Sequence, residues 1–97
     1  MRYEILLAPE AAADLRRLSA RLRTMVSDAL EIHLRHEPTK TSRSRIKRLR
    51  GLSKPQYRLR VEEIRVFYDV TESQVEVLAI VRKSAATAWL EREGQKL

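Results

Sequence analysis

Apolar and charged residues alternate with period two in Tyr57-Arg58-Leu59-Arg60-Val61, so Leu59 and Val61 point to one side of an extended chain and the two arginines to the other. Two further runs rich in β-branched and aromatic residues follow. Strands are therefore expected over 56–61, 64–70 and 75–82, joined by Glu62-Glu63 and by residues 71–74. With even-numbered loops the first hairpin pairs Arg60 with Arg65, Leu59 with Val66 and Val61 with Ile64. The second pairs Val70 with Val75, Tyr68 with Val77 and Phe67 with Leu78. One face then carries Tyr57, Leu59, Val61, Ile64, Val66, Tyr68 and Val70, continued by Val75, Val77, Ala79 and Val81. The other collects Arg58, Arg60, Arg65, Phe67, Asp69, Glu76, Leu78, Ile80 and Arg82. Glu62-Glu63 is an unfavourable type I′ pair, since both central residues need positive φ. A four-residue loop keeps the same facing, and an odd-numbered loop with a bulge breaks it.

The first eight residues also alternate, with Tyr3, Ile5 and Leu7 on one side, and predict a first strand. Pro9 suits the first turn of a helix and Glu10 complements its positive end. From there to about Glu37, apolar positions including Leu15, Leu18, Leu22, Val26, Leu30 and Leu34 recur at spacings of three and four. The segment is long for one helix, and Ser19-Ala20 is the expected break into a helical hairpin. Pro38 ends it by pushing Glu37 out of helical geometry. Residues 39–54 are polar and basic, with Lys40, Arg43, Arg45, Lys47, Arg48, Arg50 and Lys54, and read as a connector anchored by Leu49, Gly51 and Leu52. The expected fold is α+β: an N-terminal strand, a helical hairpin and a three-stranded antiparallel meander, with the helices packed on one face of the sheet. A short C-terminal helix over 85–93 completes it.

Ninety-seven residues suit one domain, residues 1–97, around one modest core. A hydrophobic share of 43% with only two glycines and three prolines argues for a folded chain. Absence of cysteine excludes disulfides and thiolate metal sites. The apolar start is too short for a signal or a membrane span, which makes a cytoplasmic protein the expectation. A net charge of +7 points to a polyanionic partner, since exposed Lys and Arg displace counterions from phosphates.

The expected pairing sets Arg60 against Arg65 between Arg58 and Arg82, and like charges directly opposite cost a few tenths to ~1 kcal/mol. Asp69 and Glu76 are the available neutralising partners, as cross-strand ion pairs. Four guanidinium groups against two carboxylates still leave positive charge in excess. Arginine forks bind phosphate at two points, so a ribbon of them beside Phe67 suits a phosphodiester with a stacked base.

The order strand, two helices, three strands, with "RLRGLSKPQYRLRVEEIRVFYDV" followed by "VEVLAIVRK", resembles the RelE/ParE superfamily of toxins from bacterial type II toxin-antitoxin pairs. The resemblance covers nearly the whole chain and is strongest at Leu49, Gly51, residues 57–61 and residues 65–68. In its RelE-like branch it implies a metal- and cofactor-independent endoribonuclease that cuts mRNA on the ribosome, using the 2′-OH of RNA as nucleophile. Carried onto matching positions, Arg65 with Arg82 or Lys83 would hold the scissile phosphate. Arg58 and Arg60 would line the substrate path. Lys47, Arg48, Phe67 and Trp89 are further candidate substrate contacts, read from charge and stacking capacity and not from matching positions. A cognate antitoxin, acidic or partly disordered, is implied as partner in a hetero-oligomer.

Two departures from the family pattern bear on the chemistry. RNA-cutting members often carry lysines where this chain has Arg58 and Arg60, and an arginine with a pKa above ~12 is a poor base. They also often carry a tyrosine about six residues beyond the last basic position, where this chain has Trp89, whose indole exchanges no proton. Trp89 reads either as a stacking platform or as a helix residue packed on the sheet. Lys83, Glu76 and Asp69 remain as titratable candidates. His33 and His36, three apart near the end of the helical segment, make at most a partial metal site and read as surface groups. A ParE-like inhibitor of DNA gyrase and a non-catalytic basic binding module stand as alternatives.

Overall fold

Pro9, with no N–H to leave unpaired, opens the first helix directly after the first strand. The computed structural model describes residues 1–97, with β1 over Glu4–Leu7 and α1 over Pro9–Arg17. Helix α1 stops at Leu18, whose extended backbone turns the chain, and Ser19 caps α2 (Ala20–Ala29) by accepting from the Leu22 N–H at 3.3 Å. The break expected at Ser19-Ala20 is where the helical hairpin bends. A wider π-helical turn, Leu30–Leu34, ends the second arm and buries Leu30 and Leu34. No helix is long and apolar enough to cross a membrane.

The connector departs from expectation. It contains two short strands, β2 (Ile46–Arg48) and β3 (Leu52–Lys54), before β4 (Tyr57–Val61), β5 (Ile64–Val70) and β6 (Gln74–Arg82). Helix α3 (Lys83–Glu93) follows, and β7 (Gln95–Lys96) pairs with β3 in a separate two-stranded sheet. The main sheet runs β1-β6-β5-β4-β2, with β1 parallel to β6 and the other neighbours antiparallel. Three-residue strands give too few alternations to show a period of two, so β2 and β3 carry no strand signal in the sequence.

The β4–β5 register is the expected one: Arg60 faces Arg65, Leu59 faces Val66 and Val61 faces Ile64. The turn is tight, and Glu62 takes it at φ 50°, a conformation costly for a residue with a side chain. Between β5 and β6 the register shifts. Tyr68 faces Val77 as expected, but Phe67 faces Ala79 instead of Leu78, so Leu78 is an extra residue in a β-bulge. Asp14 of α1 is buried and accepts the Ile80 N–H on Oδ2 at 3.0 Å, while its Oδ1 binds Arg17. The helix thus supplies an acceptor just past the irregularity in the ladder.

Every side chain after the bulge changes face. Ile80 joins the core under the helical hairpin with Val26, Leu34, Leu59, Ile64, Val66, Tyr68, Val75 and Val77. Ala79 and Val81 move to the far face, where α3 covers them in a second cluster with Phe67 and Trp89. Fully burying each large side chain of this kind contributes roughly 1.5–3 kcal/mol. Tyr68 is sealed in the main core, and its hydroxyl donates to the Pro38 carbonyl at 2.6 Å, tying the connector to the sheet. Burial, and less so Tyr57, pushes its phenol pKa upward.

Candidate functional site

Lys47, Arg58, Phe67 and Ala79 lie in one row across the far face, with Arg60, Arg65 and Val81 in the next. Strand β4 places Arg58 and Arg60 two residues apart, and the tight turn brings Arg65 back against them. The expected neutralisation does not occur. Asp69 and Glu76 sit at the opposite end of the face, where both approach Lys54, at 3.9 and 4.0 Å. Asp69 also accepts the Gln56 N–H at 2.8 Å, and burial raises its pKa. Neither carboxylate serves the arginines, so the cluster keeps its charge.

Three arginines hold three different positions. Arg65 is only 8% exposed, and its Nη1 donates to the carbonyls of Glu62 at 2.7 Å and Ile64 at 3.0 Å. It braces the strained turn from within, while its Nε and Nη2 have no protein acceptor and are not among the atoms sealed from solvent. Arg58 is half-buried, and its Nε is the one buried side-chain polar atom with no hydrogen-bond partner. An unmade bond of that kind costs ~1–3 kcal/mol. Arg60 is exposed at the rim. Burial lowers the pKa of Arg58, with Arg65 and Arg60 adding repulsion, and burial and Arg60 do the same to Arg65 against a small opposing pull from Glu63. Guanidinium keeps its proton in proteins, so these shifts measure how poorly the cluster is solvated and compensated.

Four of the expected site residues are not on the open surface of the cluster. Phe67 is 1% exposed and stacks on Trp89 with ring centres 5.0 Å apart and planes 10° from parallel. Trp89 is 5% exposed and donates its indole N–H to Glu10 Oε1 at 3.3 Å, so its role is packing α3 on the sheet and neither ring is open to a base. Arg82 faces Ile64, a residue of the main core, because the Leu78 bulge inverts the end of β6; it leaves the arginine face. Arg48 pairs with Tyr57, stacks 5.2 Å above its ring and donates to the Gln56 carbonyl at 2.7 Å, away from Arg58. Lys47, exposed and directly opposite Arg58, stays with the cluster.

Lys83 is exposed at the first position of α3, and its N–H donates to the Glu63 carbonyl at 2.7 Å. The positive end of α3 therefore lies against the hairpin turn and adds to the field there. Arg45, not singled out from the sequence, lies next to Arg60, whose N–H it accepts on its carbonyl at 2.9 Å. Its signal was its even spacing from Lys47 within the basic run. His33 Nε2 meets Arg45 Nη1 at 2.7 Å and His36 Nδ1 meets the Met1 carbonyl at 3.1 Å, so the two rings serve different partners. No group of three or more His, Asp or Glu is placed to hold a metal ion. The open part of the far face can bind an anion at several points; it carries the amine of Lys47 opposite Arg58, and exposed Lys83 follows beside the hairpin turn.

A family model described as the ParE toxin of a type II toxin-antitoxin system, parDE, matches residues 5–86. Similar solved structures include the RelBE2 toxin-antitoxin complex from Mycobacterium tuberculosis, at 22% identity and a TM-score of 0.69 over 84% of this chain and 92% of that one. The RelE-RelB complex from Pyrococcus horikoshii aligns at 21% identity and a TM-score of 0.70 over 86% and 97% of the two chains. The YoeB dimer from Staphylococcus aureus aligns at 18% identity and a TM-score of 0.61 over 81% and 94%. At these identities the solved structures establish the fold. No match is found among curated proteins.

Proposed function

The chain belongs to the ParE toxin family of type II toxin-antitoxin systems, within the RelE/ParE superfamily, and from that premise we propose that it inhibits translation by cutting ribosome-bound mRNA at the Arg58–Arg60–Arg65 cluster. The observation that carries this reading is that Arg58, Arg60 and Arg65 share one face and none of the three is ion-paired with a carboxylate, Asp69 and Glu76 being engaged with Lys54. A phosphodiester supplies the missing negative charge and accepts from the open edges of the guanidinium groups.

In this reading the 2′-oxygen bonds to phosphorus, the P–O5′ bond breaks, and the proton lost at the first oxygen is regained at the second. Arg58 and Arg60 contact the non-bridging oxygens, and their attraction grows as charge accumulates on phosphorus. Arg65 contributes its free edge and, by holding the turn, keeps the other two aligned. Lys47 extends the positive surface along the RNA. Lys83 is the proton carrier, the role left open once Trp89 is packed away and Asp69 and Glu76 are engaged with Lys54.

Two observations favour a second reading, inhibition of DNA gyrase by binding alone. No tyrosine, histidine or free carboxylate lies in the arginine rows, and the matching family model carries the ParE name. The partner in either case is a cognate antitoxin, in keeping with the antitoxin complexes of the M. tuberculosis and P. horikoshii relatives. A chain of net charge +7 suits an acidic or partly disordered segment that folds on binding. Brief expression without the antitoxin, with RNA ends mapped and plasmid supercoiling followed in the same cells, separates the readings. New mRNA ends inside reading frames support cutting, and relaxed or broken DNA with intact mRNA supports gyrase inhibition.

A further inference from the structure

Beside the arginine rows, on the helical-hairpin side of Arg60, lies a groove of about 470 Å³. Its apolar lining comes from Met25 and Ala29 of α2 and from Val61 at the end of β4. Arg45 and Arg60 line it together with the Ser44 hydroxyl. Its one acidic group, Glu62, is paired with Arg21 at 3.5 Å. We propose that this groove is a nucleotide subsite, with the phosphate between Arg45 and Arg60 and the base laid on Met25, Ala29 and Val61.

Preorganisation of Arg45 separates this groove from a patch of loose surface cations. Its guanidinium can only donate, so the 2.7 Å contact makes His33 Nε2 the acceptor and places the ring proton on Nδ1. The backbone is held as well. Ser42 Oγ accepts the N–H groups of Arg45 at 3.0 Å and Ile46 at 3.2 Å, and the Arg45 carbonyl takes the Arg60 N–H at 2.9 Å. A cation fixed before binding loses little freedom when a phosphate arrives. The volume falls within the roughly 300–1,000 Å³ of small-ligand clefts, large enough for a base as well as its phosphate. A lone carboxylate side chain would satisfy the arginines and leave the apolar lining wet.

The subsite goes beyond mRNA cutting and rests on the groove, although Arg60 borders both surfaces. The test is NMR on the purified full chain, reading Met and Ala methyl signals and arginine Nε–H signals, titrated with adenosine 5′-monophosphate, inorganic phosphate and a 5′-phosphorylated RNA trinucleotide. The nucleotide is expected to shift the Met25 and Ala29 methyl signals along a saturating curve, and phosphate alone to shift Arg45 without Met25. Arg45→Ala should weaken nucleotide binding about tenfold, or ~1.4 kcal/mol. His33→Leu should weaken it too, and His33→Gln, which keeps an acceptor for Arg45, should restore it. A trinucleotide binding tenfold tighter than the mononucleotide identifies a polynucleotide as the occupant, and equal affinity identifies a free nucleotide. The proposal falls if the nucleotide leaves Met25 and Ala29 unmoved, if Arg45→Ala binds as wild type, or if a hexaglutamate peptide shifts Met25 where the nucleotide does not. Ribosomal cleavage scored on the same protein keeps the two ideas apart: cleavage without a Met25 shift removes the groove alone, and nucleotide binding without cleavage removes the nuclease alone.

Discussion

Arg65→Ala should destabilise the fold. The register alone suggests the reverse, since Arg60 faces Arg65 and removing one of two opposed cations relieves up to ~1 kcal/mol. The buried geometry changes the sign. Arg65 Nη1 bonds two carbonyls of the β4–β5 turn, and hydrogen bonds from a charged donor contribute ~1.5–3 kcal/mol each. Glu62, held at φ 50°, keeps its strain in the variant while losing that brace. After subtracting the relieved repulsion and the desolvation of the guanidinium, a net loss of about 1–3 kcal/mol remains. In a chain of 97 residues each kcal/mol lowers Tm by roughly 4–8 °C. Thermal unfolding followed by circular dichroism measures the loss, and amide hydrogen exchange at Ile64 and Arg65 locates it in the turn. Arg65→Lys, which keeps the charge and part of the donor set, should fall between. If Arg65→Ala unfolds at or above the wild-type temperature with the turn amides still protected, the brace is refuted. Loss of toxicity in that variant then reports phosphate binding directly.

Three further outcomes follow from the packing. Trp89→Ala should cost ~3–5 kcal/mol, the range for emptying a large aromatic site, and loosen α3; Trp89→Phe should cost less, both read by chemical denaturation. Asp14→Ala should cost ~1–3 kcal/mol by leaving the Ile80 N–H without its acceptor, and Asp14→Asn, which retains an oxygen, should recover part of it. Burial and Arg45 lower the His33 pKa below its ordinary 6.5, so the unfolded chain binds the proton first as pH falls. The stability contributed by this group is full above pH 6.5 and declines as pH drops toward the folded pKa. Denaturation midpoints from pH 7.5 to 5 should fall more in wild type than in His33→Gln. Glu37 and Lys40, which also border the cleft beside His33, pair with each other at 3.6 Å.

The hairpin was legible because polar and apolar residues alternate through residues 57–61 and only an even-numbered turn keeps both apolar sets on one side. The helical break was legible because Ser19 is a capping residue in the middle of an overlong apolar pattern. The bulge was not. Residues 77–81 read Val-Leu-Ala-Ile-Val with no polar residue to mark which face each occupies, and the acceptor at Ile80 comes from Asp14, 66 residues away. That one hidden residue carried Arg82 off the site and Ala79 under α3. Arg48 failed for a related reason: Lys47 and Arg48 are adjacent cations in a short strand, and only pairing decides which one shares a face with Arg58. Phe67 was placed on the correct face, but its exposure depended on α3 covering it, a long-range contact invisible in its own strand.

An arginine cluster that acts on mRNA must show it in reconstituted translation. Purified chain is added to ribosomes stalled on a defined message, and RNA ends are read by primer extension. Cleavage within the decoding site, reduced at least about tenfold by Arg58→Leu and restored in part by Arg58→Lys, is the expected result, ~1.4 kcal/mol being the corresponding loss. A folded wild-type chain that arrests growth yet leaves ribosome-bound mRNA intact across many codons contradicts the claim.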